Sequence, residues 1–392
     1  MQDNEKKPAL RFKGFTDPWE QRKISELAEK TYGGGTPTTS NEAFWNGNIP
    51  WIQSSDIVDG KLMGVEPRKY ITQTGLNNSA TQLVPKDSIA IITRVGVGKL
   101  AYMPFSYSTS QDFLSLSKLN TEPFFTVYAC YKKLQSELNT VQGTSIKGIT
   151  KDELLAKTIS VPVYSEQKQI GSFFTQLDTL ITLHQRKYEK LLNIKKSMLD
   201  KMFPQNGVSV PEIRFKGFTD PWEQRKLGEV FEEYSEKNHA ELPPLTIIQG
   251  GGTIRRDESE RALQYDKSSL SNYKMVNKDD FIVHLRSFEG GLEKASSQGI
   301  ISPAYHTFHG EDVDSRFYYA YFRSKNFINK DLKPHVYGIR DGRSIDIEGM
   351  KTIRIPWASY PEQKSIGDFL THLDTLITLH QRKLEKLQNI KK

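Results

Sequence analysis

Apolar residues recur at alternating four- and three-residue steps through one stretch: Ile170, Phe174, Leu177, Ile181, His184, Tyr188, Leu191, Met198 and Met202. Lys195 alone interrupts that stripe with charge. A repeat near 3.5 residues is the seam of a coiled coil. The same register returns at Ile366, Leu370, Leu373, Ile377, His380, Leu384 and Leu387. Pro162 precedes the first stripe, and Pro356 and Pro361 the second, as at helix entries; Pro204 closes the first. The pattern predicts a continuous helix over 166–203, roughly 57 Å long at about 1.5 Å per residue. A chain that leaves by one seam and returns by the other makes the pair antiparallel. The competing arrangement has each helix capping its own domain. His184 and His380 lie on the seam without a carboxylate or cysteine cluster beside them. They read as packed, hydrogen-bonded residues, not as metal or catalytic ones.

The stripes belong to a larger duplication. RFKGFTDPWEQRK occupies Arg11–Lys23 and recurs identically at Arg214–Lys226. Tyr164–Lys196 and Tyr360–Lys392 agree at 26 of 33 positions. Between these frames, 24–163 and 227–359 are similar in length and share little sequence. Internal self-similarity of this kind is the first feature to settle in a fold. The division is a domain over 1–163, a helix over 164–204, a second domain over 205–359 and a second helix over 360–392. Near-identical frames around unlike inserts also suggest a gene that exchanges inserts by recombination.

Strand signals dominate both inserts, so each is expected to be mixed but mostly β. The fold class is α+β: two such domains, separated by a pair of long antiparallel coiled-coil helices in a pseudo-twofold repeat. The first insert carries Gly33, Gly34 and Gly35 followed by Thr36-Pro37, a loop able to approach another backbone closely. Trp45 and Trp51 are placed to anchor it. The β-rich run Ser88–Thr93 leads into Arg94-Val-Gly96-Val-Gly-Lys99, a basic glycine turn lacking phosphate-loop spacing. The second insert holds Gly250-Gly-Gly-Thr-Ile-Arg255-Arg256, a strand-like 280–286 ending in Arg286, and a late run containing Tyr337, Arg340 and Arg343. Lys147 occupies the corresponding late position in the first insert.

Composition narrows the class. Of the residues, 36% are hydrophobic, 11% aromatic and 26% charged, a globular balance. The amino-terminal MQDNEKKPAL has no signal-like apolar stretch, and no apolar run reaches the ~18–20 residues of a membrane span, so a cytoplasmic location and no membrane partner are expected. Cys130 is the single cysteine, which excludes an internal disulfide framework and a cysteine metal site. The net charge of +7 and a pI of about 9.1 suit a polyanionic partner. Basic side chains on turns near aromatics are what phosphate contacts and base-edge readout use. The candidate residues for such contacts are Gly34, Gly35, Thr36, Trp51, Arg94, Gly96, Lys99 and Lys147 in the first insert. In the second they are Arg255, Arg256, Arg286, Tyr337, Arg340 and Arg343. The bland alternative for each is a solvated charged loop.

In combination these residues resemble the specificity subunits of type I restriction–modification systems. The Gly-Gly-Gly-Thr-Pro loop with its Trp45-x-Gly-x-Ile-Pro-Trp51 sequel resembles the opening of a target-recognition domain. Arg94–Lys99 followed by Gln111-Asp-Phe113, Gly299–Tyr305, and the Glu-Gln-x-x-Ile-Gly openings at Glu166 and Glu362 are similar to further family patterns. The resemblance covers nearly the whole chain. It implies that each domain reads one half of a bipartite target in double-stranded DNA, with the helices as a ruler between halves. Two methyltransferase subunits would dock on this frame and flip an adenine each, and two restriction subunits would add ATP-driven translocation and cleavage. The second helix reaches Lys392 without a counterpart of Ser197–Pro204; on this resemblance either docking there is weaker or the helix needs fewer turns.

The same implication assigns no catalytic centre, cofactor or metal to this chain; S-adenosylmethionine, ATP and Mg belong to the partner subunits. No Asn-Pro-Pro-Tyr-like tetrapeptide is present, since Leu242-Pro-Pro-Leu245 lacks its polar residue, and there is no Walker motif. Two other classes compete with this reading: a self-contained methyltransferase or nuclease, and a non-catalytic coiled-coil scaffold.

Overall fold

The computed structural model describes residues 8–140, 148–204, 208–259, 267–284, 286–338 and 343–391. Two compact units emerge: residues 1–182 with 389–392, and residues 183–388. The division falls within the first long helix, not at its ends.

In the first unit, Glu20–Lys23 of the short repeat pairs antiparallel with Thr158–Val161, the last strand of the insert. Inside that closure lies a four-stranded antiparallel sheet ordered Ala28–Gly33, Phe113–Leu119, Ser88–Ile92, Leu100–Met103. Ser88–Ile92 is buried at every position because both faces of the sheet are covered. Ile89 and Ile91 pack with Phe125, Val127 and Leu134 of the helix Pro123–Thr140. Ala90 and Ile92 face the other way, onto Ile52, Val84, Met103 and Tyr107. A smaller sheet joins Lys69–Ile71, Trp45–Ile52 and Ser108–Thr109.

The second unit repeats the plan with different residues. Glu223–Lys226 pairs antiparallel with Arg354–Trp357. Its four-stranded sheet runs Glu232–Tyr234, His306–His309, Phe281–Val283, Glu293–Lys294, the same order of use along the chain. Phe281, Val283 and Phe308 pack on Phe317, Tyr318 and Phe322 of the helix Ser315–Phe322. Ile282, on the opposite face, joins Leu245, Val276 and Ile301. Two hairpins flank this core, Leu245–Ile248 with Gly252–Arg255 and Val336–Tyr337 with Ser344–Ile345. The fold is α+β in both units.

The identical short repeats reach the long helices through matching pairs. Arg11 donates from both Nε and Nη2 to Glu166 at 2.8 Å, and Arg214 does the same to Glu362 at 2.6 and 2.8 Å. Phe12 meets Phe173 edge-on at 5.9 Å, as Phe215 meets Phe369 at 5.9 Å. Each short repeat is thereby tied to the opening of the long helix that follows its insert.

The long helices run over Tyr164–Lys201 (38 residues) and Tyr360–Lys391 (32 residues). Their seam is divided in use. Ile170 and Phe174 pack on the first unit's core, and Ile366 and Leu370 are part of the second unit's. Leu177, Leu373, Ile377 and Leu384 are buried, while Ile181, Tyr188, Leu191 and Leu387 are half-buried. Within the second unit the two helices meet: His184 contacts His380, and Lys195 ion-pairs Asp374 at 2.5 Å. Partner numbers rise in one helix as they fall in the other, so the contact is antiparallel. Met202 and Phe203, at the end of the first long helix, are buried in the same core, Phe203 stacking near Phe317 at 4.9 Å. Among the described residues, no helix is long and apolar enough to cross a membrane.

Candidate nucleic-acid interface

In the first unit, strand register brings four loops to one end of the main sheet. Gly33 pairs with Leu114, Ile92 with Phe113 and Ile91 with Leu100, so two strands end and two begin there. The glycine loop, the turn 93–99 and the segment 110–112 all emerge at that edge. Ile149 N–H donates to the Thr93 carbonyl at 2.8 Å, which roots the segment after Gly148 at the same turn.

The glycine loop is built from inside. A Cβ on Gly34 would sit 1.9 Å from the Ser110 carbonyl oxygen, and one on Gly35 2.5 Å from Thr81 N. Close approach is required, and the backbone approached is the domain's own. Trp51 is 4% exposed, and its indole N–H donates to the Gly35 carbonyl at 3.0 Å. Trp45 donates to the Thr38 carbonyl at 3.2 Å and meets Trp51 edge-on at 5.2 Å. Gly34, Gly35 and Trp51, which the sequence pattern places among the contacts, thus shape the surface from beneath it. Thr36 is exposed, its hydroxyl donating to Gln111 Oε1 at 2.6 Å.

Arg94 and Val95 are exposed at the turn's tip, where Gly96 (φ +92°) and Gly98 (φ +90°) reverse the chain in the left-handed region. Lys99 is half-buried, folded back alongside Gly96. Among the described residues neither Arg94 nor Lys99 has a side-chain hydrogen bond or ion pair. Lys147 lies outside the described residues.

The second unit places its candidates at the matching end of its sheet. Tyr234 pairs with Thr307 and Val283 with His306, so the residues after Val283 and those before His306 emerge together. Arg286 is exposed there. The ring of His284 lies edge-on to Tyr305 at 6.1 Å, and Lys274 Nζ donates to the Tyr305 carbonyl at 2.6 Å. The Arg256 guanidinium stacks over Tyr273 at 5.2 Å. Arg256, Tyr273, Tyr305, His284 and Arg286 therefore form one aromatic and cationic patch. Burial, joined by the positive fields of Arg323 and Arg286 against the opposing Glu293, holds the His284 imidazole below its ordinary pKa. Its uncharged ring accepts the Arg286 N–H at 3.3 Å.

The other candidates are distributed around this patch. Arg343 lies over Phe288 at 4.4 Å and 3.5 Å from Glu289, joining the Tyr337 hairpin to the short helix after Arg286. Tyr337 is 58% exposed. Arg255 points to an exposed turn and is held by Asp257 at 2.8 and 3.1 Å. Arg340 lies outside the described residues. Glu293 is a residue that no sequence pattern singles out. Fully buried, it accepts the N–H groups of Gly250 (2.7 Å) and Gly252 (3.1 Å), the Tyr319 hydroxyl (2.8 Å) and Arg323. It organises the glycine turn beneath Arg255.

Both edges offer exposed cations beside glycine turns, and the second adds the rings of Tyr273 and Tyr305, the means of binding a polyanion and touching flat rings. Cys130 is buried, and burial pushes its thiol up to about 12, far from a reactive thiolate. Among the described residues no group of three or more His, Cys, Asp or Glu is placed to hold a metal ion.

The pattern of the Type I restriction modification DNA specificity domain matches residues 16–193 and 219–389. The chain is 26% identical over 285 residues to the type I restriction enzyme MjaIX specificity subunit of Methanocaldococcus jannaschii, covering 66% of this chain and 65% of that one. It is 29% identical over 199 residues to the EcoR124I/EcoR124II specificity subunit of Escherichia coli, covering 46% and 48%. These two alignments span about two thirds and one half of the relatives' lengths. The fold is similar to that of a type I restriction–modification S subunit from M. genitalium, with TM-score 0.60, 14% identity and coverage of 98% of this chain and 96% of that one.

Proposed function

The chain belongs to the type I restriction modification DNA specificity domain family, and from that premise we propose that it is the DNA-reading, non-catalytic subunit of a type I restriction–modification enzyme. Each unit reads one half of a bipartite double-stranded target. The observation carrying this reading is the repeated construction: two sheets of the same strand order, each bringing exposed cations to the same end although the inserts share little sequence. Arg94, Lys99, Arg286 and Arg256 meet phosphates and base edges there, while Thr36, Tyr337 and Arg343 set the local relief.

The functional parts are the domains 1–163 and 205–359 and the helices 164–204 and 360–392. The helices form an antiparallel coiled coil whose length sets the number of unread base pairs between half-sites. Two methyltransferase and two restriction subunits assemble on this frame in the cytoplasm. S-adenosylmethionine, ATP and Mg reside on them, and they carry out methylation, translocation and cleavage.

The test has two parts. Binding of the complete chain, assembled with its methyltransferase subunits, is measured on duplexes against salt; about six or more phosphate contacts lower affinity by several decades between low and moderate salt. A flat response favours the scaffold reading, and methyl transfer by the isolated chain favours the self-contained enzyme. Mapping of methylated adenines then gives the target, and adding one helical turn to both long helices changes the gap while sparing the bases read.

A further inference from the structure

The unlike inserts meet the repeated frame through matching contacts. In the first unit Glu122 precedes the helix Pro123–Thr140, and its Oε2 accepts the Phe125 N–H at 2.6 Å. The N–H of Glu122 donates to Gln167 Oε1 at 2.8 Å, and Gln167 Nε2 donates to the Pro162 carbonyl at 2.8 Å. In the second unit Asp314 caps Ser315–Phe322, accepting the N–H groups of Arg316 at 2.9 Å and Phe317 at 3.3 Å. Asp314 N–H donates to Gln363 Oε1 at 3.0 Å, and Gln363 Nε2 to the Ala358 carbonyl at 2.8 Å. Both acids and both glutamines are buried.

The third residue after each acid completes the match. Phe125 lies edge-on to Trp19 of the short repeat at 6.3 Å, and Phe317 to Trp222 at 5.5 Å. Glycines form the floor: a Cβ on Gly171 would lie 2.5 Å from Glu122 Oε2, and one on Gly367 2.7 Å from Asp314 Oδ1.

We propose that these residues form one docking joint built twice, in which the frame's Trp, Gln and Gly are a socket and an acid-x-x-Phe turn of the insert is the plug. The glutamine recognises a backbone N–H, which any non-proline residue supplies, so it makes no demand on the insert's other side chains. The carboxylate satisfies helix amides that would otherwise be orphaned, and Asp and Glu both serve. Helix capping alone requires neither the Trp–Phe contact nor a glycine floor. Gln167 and Gln363 are positioning residues: they hold each reading edge at a set attitude to its own long helix. This role rests on the reading of each unit as a DNA-reading module.

The test uses the complete chain with its methyltransferase partners, on duplexes altered in one half-site or the other. Gln167→Met keeps the side-chain volume and loses both hydrogen bonds. It is expected to lower affinity about tenfold, the scale of one or two buried hydrogen bonds, and to flatten discrimination in one half alone. Gln363→Met is expected to do so in the other half, and Glu122→Asp to retain full discrimination. Equal loss in both halves, or none, overturns the proposal. Hydrogen exchange gives a readout independent of DNA: Gln167→Met speeds exchange at the start of Pro123–Thr140 and leaves Ser315–Phe322 unchanged, with the reverse for Gln363→Met. Unchanged exchange in both variants overturns the joint. Localised exchange changes in a chain whose parent discriminates no duplex overturn the DNA reading and support the joint.

Discussion

The Nδ1 atoms of His184 and His380 lie 2.8 Å apart, each at the same place in its copy of the repeat. One ring nitrogen donates and the other accepts, so at least one imidazole is neutral. Partial burial, then the fields of His184, Lys187 and Lys383, hold His380 below its ordinary pKa. A depressed histidine pKa means that the unfolded chain binds more protons, so its contribution to stability is present above the ordinary value near 6.5 and is lost as pH falls through it. His239, held up by Glu236 and Glu241, acts in the opposite sense. His284, held down by burial, acts with His380, so thermal midpoints are expected to fall from pH 7.5 to 5.5, and His380→Asn, which does not titrate there, should flatten the fall. An identical slope in that variant would place the pH dependence elsewhere.

The two Arg–Glu ties are not equivalent. Glu362 also accepts the Trp222 indole N–H at 3.0 Å, whereas Trp19 Nε1 is buried without a hydrogen-bond partner among the described residues. Removing the arginine strands a buried carboxylate, which is destabilising. Arg11→Gln should therefore destabilise more than Arg214→Gln, because Glu362 keeps a donor that Glu166 lacks. Denaturant titrations of the two variants decide the order, and the reverse order would sink this account.

The long helices were legible because their apolar period is local. The expected span 166–203 and the observed Tyr164–Lys201 differ by two residues at each end, the width of a helix cap. Ser88–Ile92 was legible as a strand because an unbroken apolar run is what a doubly covered strand needs. The closure of Glu20–Lys23 on Thr158–Val161 was not legible, since nothing in either strand names a partner so far along the chain. Trp51 could be seen to stand near the glycine loop, but its inward orientation comes from pairing with Lys69 and Ser108. Glu293 was invisible for the same reason: its four donors come from the hairpin at Gly250–Gly252 and from the helix carrying Tyr319. The Arg255–Asp257 pair, two residues apart, was there to be read and marks Arg255 as already engaged.

Gly34 offers a direct test of the inward construction of the loop. Alanine there would bring a methyl group to 1.9 Å from the Ser110 carbonyl oxygen, so backbone must move. A destabilisation of about 1–3 kcal/mol is expected, as for overpacking at a closed site, accompanied by loss of recognition in one half-site. Gly33→Ala is the control, since nothing lies within 4 Å of its Cβ position. Equal behaviour of the two variants would refute the close-approach argument.

Exposed cations at the two sheet ends make the last prediction quantitative. Arg94 has no side-chain partner among the described residues, whereas Arg255 must leave Asp257 before it can meet a phosphate. An exposed pair of this kind stabilises little, yet breaking it lowers the net gain from any new phosphate contact. Arg94→Ala is therefore expected to weaken binding for all duplexes and to reduce the slope of log affinity against log salt by about 1. Arg255→Ala should change both quantities less. Arg286, next to the neutral His284, is placed to discriminate as well as to neutralise charge. Arg286→Ala should therefore reduce the ratio between cognate and altered duplexes in its own half-site, on top of any change in salt slope. Equal weakening on every duplex would reassign Arg286 to the phosphates alone. An unchanged slope in Arg94→Ala would move the DNA track off the first sheet end.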